Sequence, residues 1–149
     1  VTADVKACIA GIDALSERMD HAMHDITTDA LKEVRLWAAF YAPVGTPGNT
    51  TNPPGDLKRS FDIEAPVGGH GLYVGRVGPT TIYARQRELG GHIYPKRAKY
   101  LRFVKFGEVV YTRHVYQRGQ FYTKRGRATA IPWIEKKTID TIAVAIKSG

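Results

Sequence analysis

The sequence predicts an α+β protein: a long N-terminal helix and a C-terminal helix packed on a small, mainly antiparallel β-sheet, with long loops. Three observations predict it. Apolar residues recur every three or four positions along the first forty residues, the period of one buried helical face. The middle of the chain then breaks into short β-prone runs separated by glycine-bearing turns. Helical spacing returns over residues 132–147. With 149 residues, 43% hydrophobic and 24% charged, the chain is proportioned for a single domain. Its expected parts are a long helix (1–42), a Pro/Gly-rich loop (43–57), a sheet region with a short helix and a basic loop (58–130), and a last helix (131–149).

The first helix draws its stripe from Val5, Cys8, Ile12, Leu15, Met19, Met23, Ile26, Ala30, Val34, Trp37 and Tyr41. No proline interrupts it before Pro43, and only Gly11 weakens it, by about 1 kcal/mol relative to alanine. A helix of this length is about 60 Å long. A compact globule of this chain length is only about 40 Å across. Either the rod breaks or another chain covers its overhanging end. The unbroken stripe favours the second, so the sequence predicts the protomer of an assembly.

Residues 42–55 (APVGTPGNTTNPPG) hold four prolines, three glycines and no charge, and read as an extended loop. Residues 56–60 form a turn into a hairpin, 61–67 with 72–77, joined through Gly68-Gly69-His70-Gly71. Residues 81–89 are spaced as a short helix ended by Gly90-Gly91. A basic connector around Pro95 leads to two strands, 100–106 and 109–116, with one buried and one mixed face. Residues 117–129 read as a second long loop, basic, with Phe121 and Tyr122 embedded in it. Pro132 suits the first turn of the last helix, where a missing N–H costs nothing. Trp133, Ile134, Thr138, Ile142 and Ile146 supply that helix's apolar side.

Charge is unevenly spread. Residues 1–80 carry seven Lys/Arg against ten Asp/Glu, while residues 81–149 carry fifteen against four. Such a division suggests nucleic acid as a neighbour, or contact between unlike surfaces of adjacent subunits; a plain solvated face is the simpler reading. No run approaches 18 apolar residues, and no basic flank precedes an apolar block at the N-terminus, so neither a membrane span nor a secretory signal is expected. The single cysteine, Cys8, excludes an intrachain disulfide and places the chain in a reducing compartment or a particle built there.

Catalytic patterns are missing. The five histidines have no convergent acid partners in the sequence, Cys8 sits mid-stripe, and no Gly-x-Ser-x-Gly elbow or phosphate loop occurs. Glu88 and Glu108 are the only acids between Glu64 and Glu135. Neither an enzyme, a metal nor a cofactor is expected. What remains is a basic, aromatic-interleaved segment with Lys96, Arg97 and Lys99, and the basic loop with Lys124, Arg125 and Arg127. Their charges suit phosphates without reading sequence. The aromatics beside them could stack on unpaired bases, although Tyr100, Phe103 and Phe106 are spaced like core residues of a strand.

Four stretches together carry a resemblance. Ala42-Pro43-Val44-Gly45-Thr46, then Gly55 through Phe61, resemble an "APV-x-TG-x-L-x-x-S" signature, here split by an insertion at 47–54. Tyr83-Ala84 with Glu88-Leu89-Gly90 is similar to "YA-x-x-x-E-x-G" with one extra residue. His92-Ile93-Tyr94-Pro95-Lys96 through Leu101-Arg102-Phe103 is similar to "I-x-P-x-x-x-x-x-L-x-F". Ile131-Pro132-Trp133-Ile134 stands where a proline and an aromatic start the last helix. The family resembled is that of neck, or tail-completion, proteins of long-tailed double-stranded-DNA bacteriophages, which are head–tail connectors. The resemblance implies a homo-oligomeric ring of six copies between head-closure (adaptor) and tail proteins, around a lumen that DNA traverses. It also implies a virion protein made in the bacterial host cytoplasm, with no enzymatic activity.

On this reading Pro43, Thr46, Pro47, Pro53 and Pro54 are candidates for inter-ring contact. Lys96, Arg97, Lys99, Lys124, Arg125 and Arg127 would face the DNA passage or acidic neighbouring rings. The alternative is a free-standing, non-specific nucleic-acid-binding module built on the same basic half. A toxin-like nuclease is disfavoured by the scarcity of convergent acids and histidines.

Overall fold

The structure, a computed structural model, describes residues 2–45, 53–105 and 107–147. Helix α1 runs Thr2–Tyr41 without a break, 40 residues or about 60 Å. It stops where Pro43 pushes Ala42 out of the α region. A short α2 (Asp56–Arg59) leads into the antiparallel hairpin β1 (Phe61–Gly69) and β2 (Leu72–Pro79). Then come α3 (Ala84–Leu89), β3 (Gly90–Ile93), β4 (Leu101–Lys105), β5 (Glu108–Thr112), β6 (Val115–Arg118) and α4 (Tyr122–Lys147). The chain is α+β, as expected. Among the described residues its strands make three two-stranded antiparallel ribbons, β1–β2, β3–β6 and β4–β5, rather than one continuous sheet.

The core forms where the C-terminal half of α1 meets α2, the start of β1, α3 and the first turn of α4. Ala38, Ala42, Leu57, Phe61, Ala84 and Tyr122 are buried there together. Among the described residues Tyr122 is the largest fully buried side chain; it packs edge-on to Phe61 and donates its hydroxyl to the Ala84 carbonyl at 3.0 Å. Its neighbour Gly126 lets α4 approach α1, since any side chain there would collide with the backbone of Ala38. Gly75 plays the same part for β2, whose backbone lies against Leu31 of α1.

Three expectations need correcting. Residues 117–129 are not a long loop. The helix starts at Tyr122, so Lys124, Arg125 and Arg127 occupy its first turns and Pro132 lies inside it. Burial of Tyr122 and the close approach at Gly126 extend the helix past the proline, whose lost hydrogen bond falls on an exposed face. The predicted strand 109–116 is interrupted. β5 ends at Thr112, the Thr112 hydroxyl bonds to the His114 carbonyl, and the chain restarts as β6 to pair with β3. Among the described residues the β4–β5 ribbon has one face that is only half-buried (Leu101, Phe103, Val110, Thr112) and one that is exposed. Among the described residues no other element packs substantially on it, so Tyr100 is exposed and Phe103 only half-buried. Phe106 lies outside the described residues.

Candidate assembly surfaces

α1 changes character along its length. From Ala22 onward one side is covered by α4 and by the β1–β2 hairpin, with Ala22, Ile26 and Ala38 buried. Residues 4–17 are exposed all round. The apolar stripe does not stop with its cover. Val5, Ile9, Ile12 and Leu15 continue it into solvent, Ile12 at 62% exposure, and Cys8 is exposed beside them.

The boundary between covered and bare helix is marked by Asp20. Its carboxylate accepts the Gly71 N–H at 2.8 Å and the Tyr73 hydroxyl at 2.6 Å, tying the hairpin's tip to α1. The tip is the two-residue turn His70-Gly71, both at positive φ, which matches the right-handed twist of the flanking strands. The Tyr73 bond, then the Gly71 bond, lower the Asp20 pKa below its ordinary value, and the same carboxylate raises that of Tyr73. The His24 ring sits edge-on to Tyr73, 5.3 Å between centroids.

The six basic candidates do not form one patch. Lys96, Arg97 and Lys99 are exposed on the segment that leaves the Ile93 end of the β3–β6 ladder. Lys99 lies over the Tyr100 ring at 5.6 Å. Lys124, Arg125 and Arg127 follow the opposite, Gly90–Arg118 end. Arg125 is placed 4.4 Å from the centroid of the Tyr41 ring. Three cations at a helix N-terminus oppose the helix dipole. Glu88 offsets them: its carboxylate accepts the backbone N–H groups of Thr123 at 3.0 Å and Lys124 at 3.2 Å. Of the two aromatics in this run, Tyr122 is core and closed to bases, whereas Phe121 is half-exposed. Burial, then the Glu88 charge, push the Tyr122 phenol up to about 12.

The capping role of Glu88 escaped the sequence reading, because its partner is 35 residues away. The only signal was its place between Leu89-Gly90 and a basic stretch otherwise poor in acids.

Of the proline-loop candidates, Pro43 and Pro53 line a cleft of about 300 Å³ together with Asp56, Tyr83, Gln86 and Arg87. Tyr83 donates to Asp56 at 2.9 Å across its floor, and burial followed by that bond raises the tyrosine's pKa. The Pro54 carbonyl accepts from Arg59. Thr46 and Pro47 lie outside the described residues. At the Ile93–Val115 end of the β3–β6 ribbon, His92 and Tyr116 on the strands gather with Tyr94 and His114 just beyond them, ring centroids 5.2 to 6.1 Å apart. Among the described residues no three His, Cys, Asp or Glu side chains converge as metal ligands, and no helix is long and apolar enough to cross a membrane.

No family model, no curated protein and no solved structure matches the chain.

Proposed function

We propose that this is a structural, non-enzymatic virion protein forming a homo-oligomeric ring in the neck of a tailed phage, joining head-closure and tail rings around the DNA passage. The observation that carries the reading is the bare half of α1. A stripe that needs burial in its second half continues over Val5, Ile9, Ile12 and Leu15, which none of the described residues covers. Leaving such side chains in water forgoes about 1.5–3 kcal/mol each relative to burial, which a sister copy would supply. The resemblance to neck proteins supports the ring in particular. Cyclic symmetry closes when one surface of each copy meets a different surface on the next. Lys96, Arg97 and Lys99 on one side, and Lys124, Arg125 and Arg127 on another, offer positive charge to DNA or to acidic neighbouring rings, and the Pro43–Pro53 cleft offers a seat for a neighbour's chain.

The test is native mass spectrometry of the purified protein across a wide concentration range, alongside its incorporation into preformed heads. Closed oligomers, or copies taken up at one symmetric layer of the particle, support the reading. A strict monomer that is excluded from particles and binds DNA with a steep salt slope would instead mark a free-standing nucleic-acid-binding module.

A further inference from the structure

The outer face of the β3–β6 ribbon is built of rings. Exposure alternates along both strands, as a two-faced ribbon requires. Gly91, Ile93, Val115 and Gln117 are half-buried, and Ile93 and Gln117 line the cleft described above. His92, Tyr94, His114 and Tyr116 face the other way and are exposed, Tyr94 at 62% and Tyr116 at 64%. His92 stands directly opposite Tyr116 in the ladder, and Tyr94 and His114 form the next row, 5.8 Å between ring centroids. The His92 ring is 5.2 Å from both His114 and Tyr116, so the four make one continuous surface.

The charge around these rings is of one sign. Residues 90–97 and 113–118, which carry them, hold Lys96, Arg97, Arg113 and Arg118 and no acid. All four cations are exposed, three of them at the Tyr94–His114 end and Arg118 at the other, opposite Gly90. Acids of the neighbouring elements are engaged elsewhere. Glu88 accepts from the first turn of α4, and Asp56 accepts from Tyr83 inside the cleft. Glu108 lies at the end of β5 remote from β6.

We infer that this face is a stacking platform for the unpaired bases of a single-stranded nucleic acid, with the flanking cations on its phosphates. The inference goes beyond the ring reading and does not rest on it. Aromatic side chains stack on any base, because every base has a π-face, and that face is free once the strand is unpaired. Successive residues on one face of a strand are about 7 Å apart, so the two rows give two neighbouring bases a ring each. Duplex DNA would engage the cations alone, since its bases are stacked on one another. A metal ion suits the cluster less well: among the described residues the two imidazoles have no third His, Cys, Asp or Glu converging with them.

The test is fluorescence polarisation at low salt with a labelled thymidine dodecamer, the duplex it forms with an adenosine dodecamer, and labelled hexaglutamate. The single strand is expected to bind more tightly than the duplex, with affinity that falls as salt rises. Tyr94→Ala and Tyr116→Ala each weaken it by about five- to a hundredfold. Tyr94→Phe and Tyr116→Phe keep the ring and bind as the wild type does. Tyr111→Ala, on the other exposed ribbon, changes nothing. Tyr94 lies beyond the last ladder pair, so removing its ring leaves the ribbon paired; circular dichroism checks that all variants fold. With 5-iodouracil in place of one thymine, irradiation links the strand to residues 92–94 or 114–116.

A duplex bound as tightly as the single strand overturns the inference. So do affinity that survives both alanine variants, and hexaglutamate bound in preference to the dodecamer. If the dodecamer is not bound and the alanine variants lose self-assembly in native mass spectrometry, the face is a contact between copies; the inference falls and the ring reading stands. A wild type that never assembles, yet holds the single strand through these tyrosines, keeps the inference and removes the ring.

Discussion

At the first turn of α4 a single carboxylate holds the helix start and the adjoining cations in place. Glu88 accepts two otherwise unpaired N–H groups beneath Lys124, Arg125 and Arg127. Glu88→Ala removes both acceptors and leaves three positive charges on the positive end of the dipole, so a loss of about 1–2 kcal/mol is expected in urea unfolding. One residue earlier, Tyr122 ties α4 to α3 by donating to a buried carbonyl. Tyr122→Phe leaves the Ala84 oxygen without that donor, at a cost of about 1–3 kcal/mol.

The same tyrosine gives stability an alkaline limit. Its folded-state pKa of about 12 lies above the ordinary 10, so its contribution is fully present below pH 10 and is lost as pH rises from 10 towards 12. Urea midpoints measured across that window should fall less steeply in Tyr122→Phe than in the wild type.

At the scale of elements, α4 contains a defect and α1 a latch. Pro132 sits ten residues into α4 with no N–H to give the Ala128 carbonyl, on an exposed face. Interior proline costs a helix roughly 3 kcal/mol. Pro132→Ala should therefore raise the unfolding free energy by about 1–3 kcal/mol in a denaturant titration, with assembly retained. The Asp20 latch is expected to respond to acid. Because its folded-state pKa is lowered, the contribution is fully present above the ordinary value of 3.8 and is lost as pH falls through the lowered one. In Asp20→Ala the Gly71 and Tyr73 donors lose their acceptor, and the Gly71 amide should exchange with solvent faster while amides of β1 near Phe61 do not change.

For the molecule as a whole, the fold is concentrated at one end of a rod. Among the described residues, what packs on α1 does so from about residue 18 onward, so residues 4–17 contribute little to the stability of a lone subunit. Removing them should leave the melting temperature of the monomer within a few degrees of the wild type while abolishing self-assembly, read by calorimetry and native mass spectrometry together. The β4–β5 ribbon projects in the same way. A two-stranded ribbon by itself is marginal in water, so its amides should exchange faster than those of β1 and β2.

From sequence alone one could read the 40-residue helix, its stop before Pro43, the first hairpin, the short helix ended by Gly90 and the α+β class. Each rests on periodicity or turn chemistry within a few residues, which is local information. The overhang was legible too, because it follows from comparing a helix length with a globule size. What the sequence could not carry were relations between distant segments. The pairing of β3 with β6, the cap that Glu88 gives α4 from 35 residues away, and the separation of the basic residues into two groups all depend on where the chain returns. The start of α4 was misplaced for the same reason. Pro132 is the strongest local signal in that stretch, and only the packing of Tyr122 and Gly126 against α1 outweighs it. Local patterns thus determined which segments are rods and ribbons; tertiary packing decided how far each extends and which faces stay uncovered, because burial is shared between segments that are remote along the chain.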